Sequence, residues 1–244
     1  MISAKNLTKC HGDARTAGNT FRHELKYQIR LSDYYAIRQR IRPVMRPDGH
    51  VRDDGQYVVR SIYFDNLYDK ALGEKINGVQ KREKFRIRYY NDDFSFITLE
   101  KKMKWNSLCM KMDVKLAQEE CRKVLAGDTG WMLNHPSGLI RELYCKMKSQ
   151  QLRPRVLVSY VREPYVYGAG NVRVTFDSNI RSTLFHRGFL EETVTDLAVA
   201  DNPGEVILEV KFDAFLPEII QSLLQTEGIR QQAYSKYGAC RRFG

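Results

Sequence analysis

The chain has no long apolar run and few cysteines, and these absences limit where it can work. No stretch approaches the ~20 apolar residues of a membrane span, and the N-terminus lacks the apolar core of a secretory signal. The five cysteines show no CxxC or Cys/His metal spacing, and their odd number argues against a full disulfide framework. The sequence therefore predicts a cytoplasmic protein in a reducing setting, peripheral at a membrane only through a separate membrane protein partner.

Acidic residues are the scarcer charge, with 29 Asp and Glu against 40 Lys and Arg, which gives a formal net charge of +11. A basic balance favours anionic partners, whether nucleic acid, anionic lipid or phosphorylated small molecules. The basic tail carries no recognisable RNA- or DNA-binding motif, so nucleic acid is not expected as a partner. The cations of this tail are Arg230, Lys236, Arg241 and Arg242.

The 244 residues, 43% of them hydrophobic, fit a disordered leader over 1–19 and one large domain over 20–244. Eight β-rich runs come in groups with helices between them, which predicts an α+β fold with an antiparallel sheet. Eight antiparallel strands can close into a β-barrel with an interior face. The predicted strands are 21–29, 56–65, 81–90, 94–104, 106–116, 154–167, 171–182 and 204–213. The predicted helices are 32–45, 66–78, 116–127, 136–150 and 216–228.

The first predicted helix has readable signals at both ends. Ser32 is placed to cap it, and Pro43 is placed to end it. An apolar stripe of Tyr35, Ile37 and Ile41 predicts the side that packs on the sheet.

Charged side chains alternate along several of the predicted strands. Residues at i and i+2 share one face of a strand, so each of these strands has one apolar face and one charged face. The alternating residues are Arg22, Glu24 and Lys26; Lys84, Arg86 and Arg88; Arg173, Thr175 and Asp177; and Glu209 and Lys211. Such a face either meets solvent or lines a wet cavity that holds a highly charged ligand.

The mixed signs on these faces favour the cavity. Arg86 and Arg88 would be like charges on one face, which destabilises a plain surface sheet unless anions or carboxylates intervene. Lys and Arg bind phosphate oxygens, whereas hard divalent metals prefer carboxylate oxygens. Cations interleaved with carboxylates therefore point to phosphate together with a divalent metal.

A set of ordered motifs carries a family resemblance over about residues 20 to 240. In chain order these are HELKY, SIYFDN, KFRIRYY, LEKK, SYVREPY, VRVTFD, ILEVKF and YSKY. Together they resemble the VTC domain, the catalytic domain of the vacuolar transporter chaperone polyphosphate polymerases, in the triphosphate tunnel metalloenzyme superfamily that includes CYTH-type enzymes. The resemblance implies an eight-stranded antiparallel barrel forming a tunnel, with Mn²⁺ or Mg²⁺ as cofactor. It also implies a polymerase that transfers the γ-phosphoryl group of ATP to inorganic polyphosphate.

The resemblance also implies roles for individual residues. Matching cations would bind the phosphates and act in catalysis through position and charge: Lys26, Arg86, Arg88, Lys102, Lys111 (with Lys115 as a competing choice), Arg162, Arg173 and Lys236. Ser235 would contact phosphate beside Lys236. Glu209 matches the principal metal-binding glutamate, with Glu24 and Glu100 as weaker candidates for the metal or for orienting cations. The chain departs from the family pattern at Ala233, where the family has a further lysine, and at Tyr234, where it has phenylalanine.

Two other functions share most of this chemistry. A triphosphatase of the same superfamily would use water in place of a phosphate chain as acceptor. A non-catalytic polyphosphate or phosphate sensor would keep the binding and lose the transfer. The polymerase is favoured because the resemblance points to the VTC domain.

Overall fold

The computed structural model describes residues 21–106, 108–184, 188–191, 198–199, 202 and 204–241, so the predicted leader over 1–19 lies outside the described residues. Ten strands pair into one antiparallel sheet. They are β1 His23–Arg30, β2 Arg46–Pro47, β3 Tyr57–Asp65, β4 Lys81–Tyr90, β5 Asp93–Trp105, β6 Leu108–Leu116, β7 Arg153–Tyr167, β8 Val172–Thr183, β9 Ala198–Val199 and β10 Glu205–Phe212. The eight longer strands are the eight predicted ones. The two additions, β2 and β9, are two residues each and pair with β7 and β8.

Six α-helices are found in the same part of the chain. They are α1 Leu31–Ile41, α2 Lys70–Ile76, α3 Gln118–Ala126, α4 Gly138–Ser149, α5 Glu218–Leu224 and α6 Lys236–Cys240. The first five overlap the five predicted helices, and α6 was not predicted. None of these helices has the length and apolar character that crossing a membrane requires.

The start of α1 differs from the prediction. The helix begins at Leu31, so Ser32 lies inside its first turn, and the Asp33 carboxylate accepts a hydrogen bond from the Arg30 N–H at 3.2 Å. Ile37 and Ile41 are buried as expected, whereas Tyr35 is 54% exposed. Its neighbour Tyr34 packs instead, with its ring centroid 5.0 Å from that of Phe176.

The long strands follow the order β1-β10-β8-β7-β3-β4-β5-β6, and the sheet curves until its two edge strands meet. The meeting is a single antiparallel bridge between Arg22 and Cys109, with N–H to O distances of 3.1 and 3.3 Å. Past this bridge the C-terminal segment lies along the outer edge of β1. There the Gln232 N–H donates a hydrogen bond to the Lys26 carbonyl at 2.8 Å. The predicted closed barrel is therefore corrected to an open, curved sheet whose edges touch at one end.

Apolar side chains divide between the two faces of the sheet. On the outer face, α3 and α4 cover the β3–β6 half of the sheet, and α1 and α5 cover the half that contains β1, β8 and β10. A third cluster lies on the inner face, where Tyr237 and Cys240 of α6 pack against Val59, Val158 and Tyr160. Helix α6 thus fills part of the concave side of the sheet, and the rest of that side carries the charged residues.

Candidate functional site

Strand register brings the alternating charges together on the concave face of the sheet. Lys26 lies opposite Glu209, Arg86 lies opposite Glu100, and Lys211 lies opposite Arg173. Basic side chains outnumber carboxylates on this face. The cations are Lys26, Lys84, Arg86, Arg88, Lys102, Lys111, Arg162, Arg173, Lys211 and Lys236, and the carboxylates paired with them on the strands are Glu24, Glu100, Asp113, Asp177 and Glu209.

The first cluster centres on Lys26, whose ammonium lies between two glutamates. It is 2.9 Å from Glu24 and 3.4 Å from Glu209. Lys102 donates to Glu24 at 2.5 Å across the gap between β5 and β1, and Lys211 contacts Glu209 at 2.6 Å. Burial of the Glu209 carboxyl opposes its ionisation, but the charges of Lys211 and Lys26 outweigh that effect and hold its pKa well below the usual range. Both carboxylates are therefore ionised at neutral pH.

The second cluster centres on Glu100 of β5, which is 1% exposed. Arg86 donates to it at 2.5 Å and Lys111 lies 2.9 Å away, while Arg88 is at 3.9 Å. Burial raises the pKa of this carboxyl, but the three cations, of which Arg86 has the largest effect, lower it by more. The net shift of the pKa is downward. Glu100 thus holds three cations in place and shares no salt-bridge partner with Glu24 or Glu209.

The third cluster joins the sheet to α6 through Asp177, which is fully buried. Arg162 binds it with two hydrogen bonds of 2.6 and 2.7 Å, and Lys236 donates to the same carboxylate at 2.5 Å. Burial opposes ionisation of Asp177, yet Arg162 and Lys236 keep its pKa below the usual value. This pairing fixes a cation of α6 on the concave face.

Two tyrosines connect the clusters. Arg86 donates to the Tyr63 hydroxyl at 3.2 Å, and Arg88 donates to the Tyr160 hydroxyl at 3.1 Å. Burial alone would raise the pKa of Tyr63, but Arg86 and Arg88 reverse this and lower it to about 8. Burial of Tyr160 prevails over its neighbouring arginines and raises its pKa to about 12. The two phenols consequently differ in how readily they ionise.

The remaining predicted residues lie at the ends of this face. Arg173 pairs with Asp48, next to β2, and its side chain is 36% exposed. The Ser235 hydroxyl accepts a hydrogen bond from the Gly238 N–H at 3.2 Å and so caps α6. Ser235 and Ala233 also line a cavity of about 530 Å³ next to α2. The short side chain at Ala233 therefore leaves open space where the family pattern has a lysine.

Carboxylate and hydroxyl oxygens around Glu209 form the part of this face best suited to a divalent metal. No group of three or more His, Cys, Asp or Glu side chains that could hold a metal occurs within the described residues. Glu24 and Glu209 do share Lys26. Thr175 lies opposite Glu209, and its buried hydroxyl oxygen has no hydrogen-bond partner in the part of the chain that the structure describes. Mg²⁺ and similar ions commonly use one or two carboxylates and complete their shell with water and substrate phosphate. This donor set fits such an ion.

A sequence profile of the VTC domain family matches residues 21–243. The chain belongs to the VTC domain family. Solved structures that are similar to this VTC domain include a provisionally assigned adenylate cyclase from Bacillus halodurans, with 16% identity and a TM-score of 0.48 over 85% of this chain and 88% of that chain. A protein from Pyrococcus horikoshii is 13% identical, with a TM-score of 0.45 over 89% of this chain and 96% of that chain. No curated protein sequence matches the chain significantly.

Most of the residues predicted from the motifs lie together in this VTC domain. Lys26, Glu24, Glu209 and Lys102 form the first cluster, and Glu100, Arg86, Arg88 and Lys111 form the second. Lys115, the competing choice, lies 5.9 Å from the ring centroid of exposed Phe96. Arg162 and Lys236 meet at Asp177, while Arg173 and Ser235 lie toward the ends of the face.

Sequence reasoning missed several residues of the concave face. Asp177, Lys84 and Lys211 belong to the alternating charged strands, so that pattern already marked them, but no family motif assigned them a role. Tyr63 and Tyr160 gave no signal, because a tyrosine in a strand looks like any other core aromatic.

Proposed function

We propose that this VTC domain is a metal-dependent polyphosphate polymerase that transfers the γ-phosphoryl group of ATP to a growing inorganic polyphosphate chain. One observation supports it above the others: cations from seven strands and from helix α6 converge on one concave face, each held by a carboxylate, tyrosine or serine partner. A linear polyanion can replace those partners without the fold having to form a new site. On this reading the concave face serves as the triphosphate tunnel.

Arginine and lysine have different tasks in this proposal. Arg86, Arg88 and Arg162 present planar guanidinium groups that match phosphate oxygens two at a time and stay charged at any working pH. The lysines act as point charges along the same concave face; they are Lys26, Lys102, Lys111 and Lys236. Arg173 and Ser235 would contact the ends of the bound chain.

We assign Glu209 and Glu24 as the residues that hold Mn²⁺ or Mg²⁺, with the Thr175 hydroxyl beside them. The ion would neutralise charge on the phosphates as the γ-phosphoryl group moves. Of the two roles that the resemblance left open for Glu100, metal binding and orienting cations, we assign the second. Because its oxygens are occupied by Arg86 and Lys111, it orients those cations.

The transfer itself needs position and charge more than covalent help from the protein. A terminal oxygen of the polyphosphate chain bonds to the γ-phosphorus of ATP, the bond from that phosphorus to the β-bridging oxygen breaks, and ADP leaves. The arginines hold the donor phosphates, while the lysines neutralise the acceptor chain. Catalysis then comes from bringing two polyanions together that would otherwise repel each other.

The test is incubation of the purified protein with ATP and Mn²⁺, with products separated on a gel that resolves polyphosphate. Long chains together with ADP are the expected result. Free phosphate without polymer would identify a triphosphatase, in which water replaces the chain as acceptor. Tight polyphosphate binding with no metal-dependent turnover would identify a sensor.

The setting proposed for this reaction is the cytoplasm, where ATP is plentiful. The four described cysteines, Cys109, Cys121, Cys145 and Cys240, are free thiols, which agrees with a reducing compartment. A membrane protein partner would be needed to carry the polymer elsewhere. Co-purification of tagged protein with the membrane fraction, lost at high salt, would support such a peripheral association.

A further inference from the structure

One cation of the concave face differs from its neighbours because no carboxylate of the described residues lies within 4 Å of it. Lys84 of β4 is partly buried, and no hydrogen bond or ion pair of its ammonium is found in the described part of the chain. Its contact is with the ring of Tyr237 on α6, where the ammonium lies 4.8 Å from the ring centroid. Each of the nine other cations named above for this face has a carboxylate within 4 Å.

The position of Lys84 follows from the strand pattern. It is two residues before Arg86 and four before Arg88, so the three side chains stand in a row on one face of β4. Across the sheet Lys84 lies directly opposite Lys102 of β5. Two like charges in a cross-strand pair destabilise the sheet unless an anion lies between them. Glu24 accompanies Lys102 but leaves Lys84 uncompensated.

The surroundings of Lys84 disfavour the charged form of its side chain. Burial, with the nearby charges of Arg82 and Lys26, lowers the pKa of the ammonium to about 8. The phenol of Tyr63 and the more distant carboxylate of Asp65 offset this only in part. A lysine with no functional role could be replaced at this position by an apolar residue that would still pack on Tyr237. Its charge is therefore unfavourable for the ligand-free fold.

We propose that Lys84 is an additional phosphate-binding residue of the concave face, whose ammonium contacts a phosphate of the bound triphosphate or polyphosphate chain. This inference rests on the proposed function, because it assumes that the concave face binds a phosphate chain. The bound anion supplies the counter-charge that the protein omits. Lys84 also extends the row of Arg86 and Arg88 toward Tyr237 on α6.

The test compares tripolyphosphate binding, measured by calorimetry, with the Tm of the ligand-free protein. The variant Lys84→Met removes the charge and keeps an unbranched side chain over Tyr237. We expect its Kd for tripolyphosphate to rise about tenfold, because a charged contact to phosphate is lost. We expect its ligand-free Tm to equal or exceed that of the wild type, because a buried uncompensated charge is gone.

Two further variants complete the test. Lys84→Arg keeps the charge and should retain most of the affinity. Lys148→Met removes an exposed lysine of α4 that lies 5.6 Å from the ring centroid of Tyr144, and should change neither quantity. Wild-type affinity in Lys84→Met, or a lower ligand-free Tm, would overturn the role of Lys84. Wild-type protein that fails to bind tripolyphosphate would instead overturn the proposed function.

Discussion

At the scale of single residues, the three carboxylates of the inner strands that were predicted as metal ligands have different surroundings. Glu24 and Glu209 share Lys26, and Glu209 lies opposite Thr175, whose hydroxyl has no hydrogen-bond partner among the described residues. Glu100 instead is engaged by two arginines and Lys111. The same residue type at the same kind of strand position can therefore bind a metal or orient cations. Its neighbours on the adjoining strands decide which.

Glu209→Ala tests the metal role. We expect metal-dependent ATP turnover to fall below detection while the protein stays folded, because Lys26 keeps its 2.9 Å contact with Glu24 after Glu209 is removed. Turnover is followed as ADP released in Mn²⁺, and folding by circular dichroism. Glu142→Ala, on the outer helix α4, is the matched control and should retain turnover. A folded Glu209→Ala protein that still consumes ATP would remove Glu209 from the metal site.

Asp177→Asn tests the carboxylate beneath Arg162 and Lys236. The substitution leaves two buried cations without a counter-charge, and removing one partner of such a buried group costs about 3 kcal/mol. Urea unfolding of both proteins measures the difference in the free energy of unfolding. Glu119→Ala removes a carboxylate from an exposed pair on α3 and should lie within about 0.5 kcal/mol of the wild type. Equal midpoints for Asp177→Asn and the wild type would contradict this role.

At the scale of elements, α6 is a short helix held by the rest of the fold. Its five residues are too few to be stable alone, so it depends on Lys236 bound to Asp177 and on the Tyr237 hydroxyl, which donates to Asp65 at 2.5 Å. Those contacts join residues far apart in sequence. This is why the sequence predicted five helices and missed this one.

Tyr237→Phe tests how α6 is attached. It removes only the hydroxyl, so that Asp65 Oδ2 loses its shortest hydrogen bond and keeps the one from the Leu72 N–H at 3.2 Å. We expect a loss of about 1–2 kcal/mol in the free energy of unfolding. The loss should be largest locally, so amide hydrogen exchange over residues 236–240 should accelerate more than exchange in β3. Tyr167→Phe, on the outer side of β7, serves as comparison. Unchanged exchange in α6 would show that the hydroxyl does not anchor it.

The positions of the strands could be predicted from the sequence for a physical reason that does not apply to the closing of the sheet into a barrel. Alternation of charged and apolar residues follows from the period of two in a strand, and Arg22, Lys26 and Glu209 show it without any structural information. The meeting of β1 with β6 depends instead on sheet curvature. It also depends on Gln232, which occupies the outer edge of β1. Neither is visible in a local pattern, and so the barrel was expected to close fully.

At the scale of the whole molecule, the paired carboxylates set the response to acid. The pKa values of Glu24, Glu100, Glu209 and Asp177 are held below their ordinary values of 4.5 and 3.8 by neighbouring cations, against the effect of burial. The unfolded chain therefore binds protons at a higher pH than the native state does. Their stabilising contribution is complete above about pH 4.5 and is lost as the pH falls further.

Acid unfolding checks this expectation. The urea midpoint should change little between pH 7 and pH 5 and should then fall steeply between pH 4.5 and pH 3. Asp177→Asn should lose less of its remaining stability over the same interval, since one of the four carboxylates is gone. A wild-type midpoint that stays constant down to pH 3 would mean that these ion pairs do not contribute to folding.

Under the proposed polymerase function, the gap between β1 and β6 has a consequence for how a long product would leave. Besides the bridge at Arg22, the pair between Lys102 of β5 and Glu24 of β1 joins the two sides of this gap past the edge strand β6. The Lys102 side chain is 34% exposed. A polyanion that binds the Lys102 ammonium takes it away from Glu24. Binding of the polyanion and closure of the gap therefore compete for the same ammonium. The protein with bound polyanion would then be less tightly closed along this gap than the ligand-free protein. A growing polymer could slip out sideways through this seam instead of being threaded back through an end.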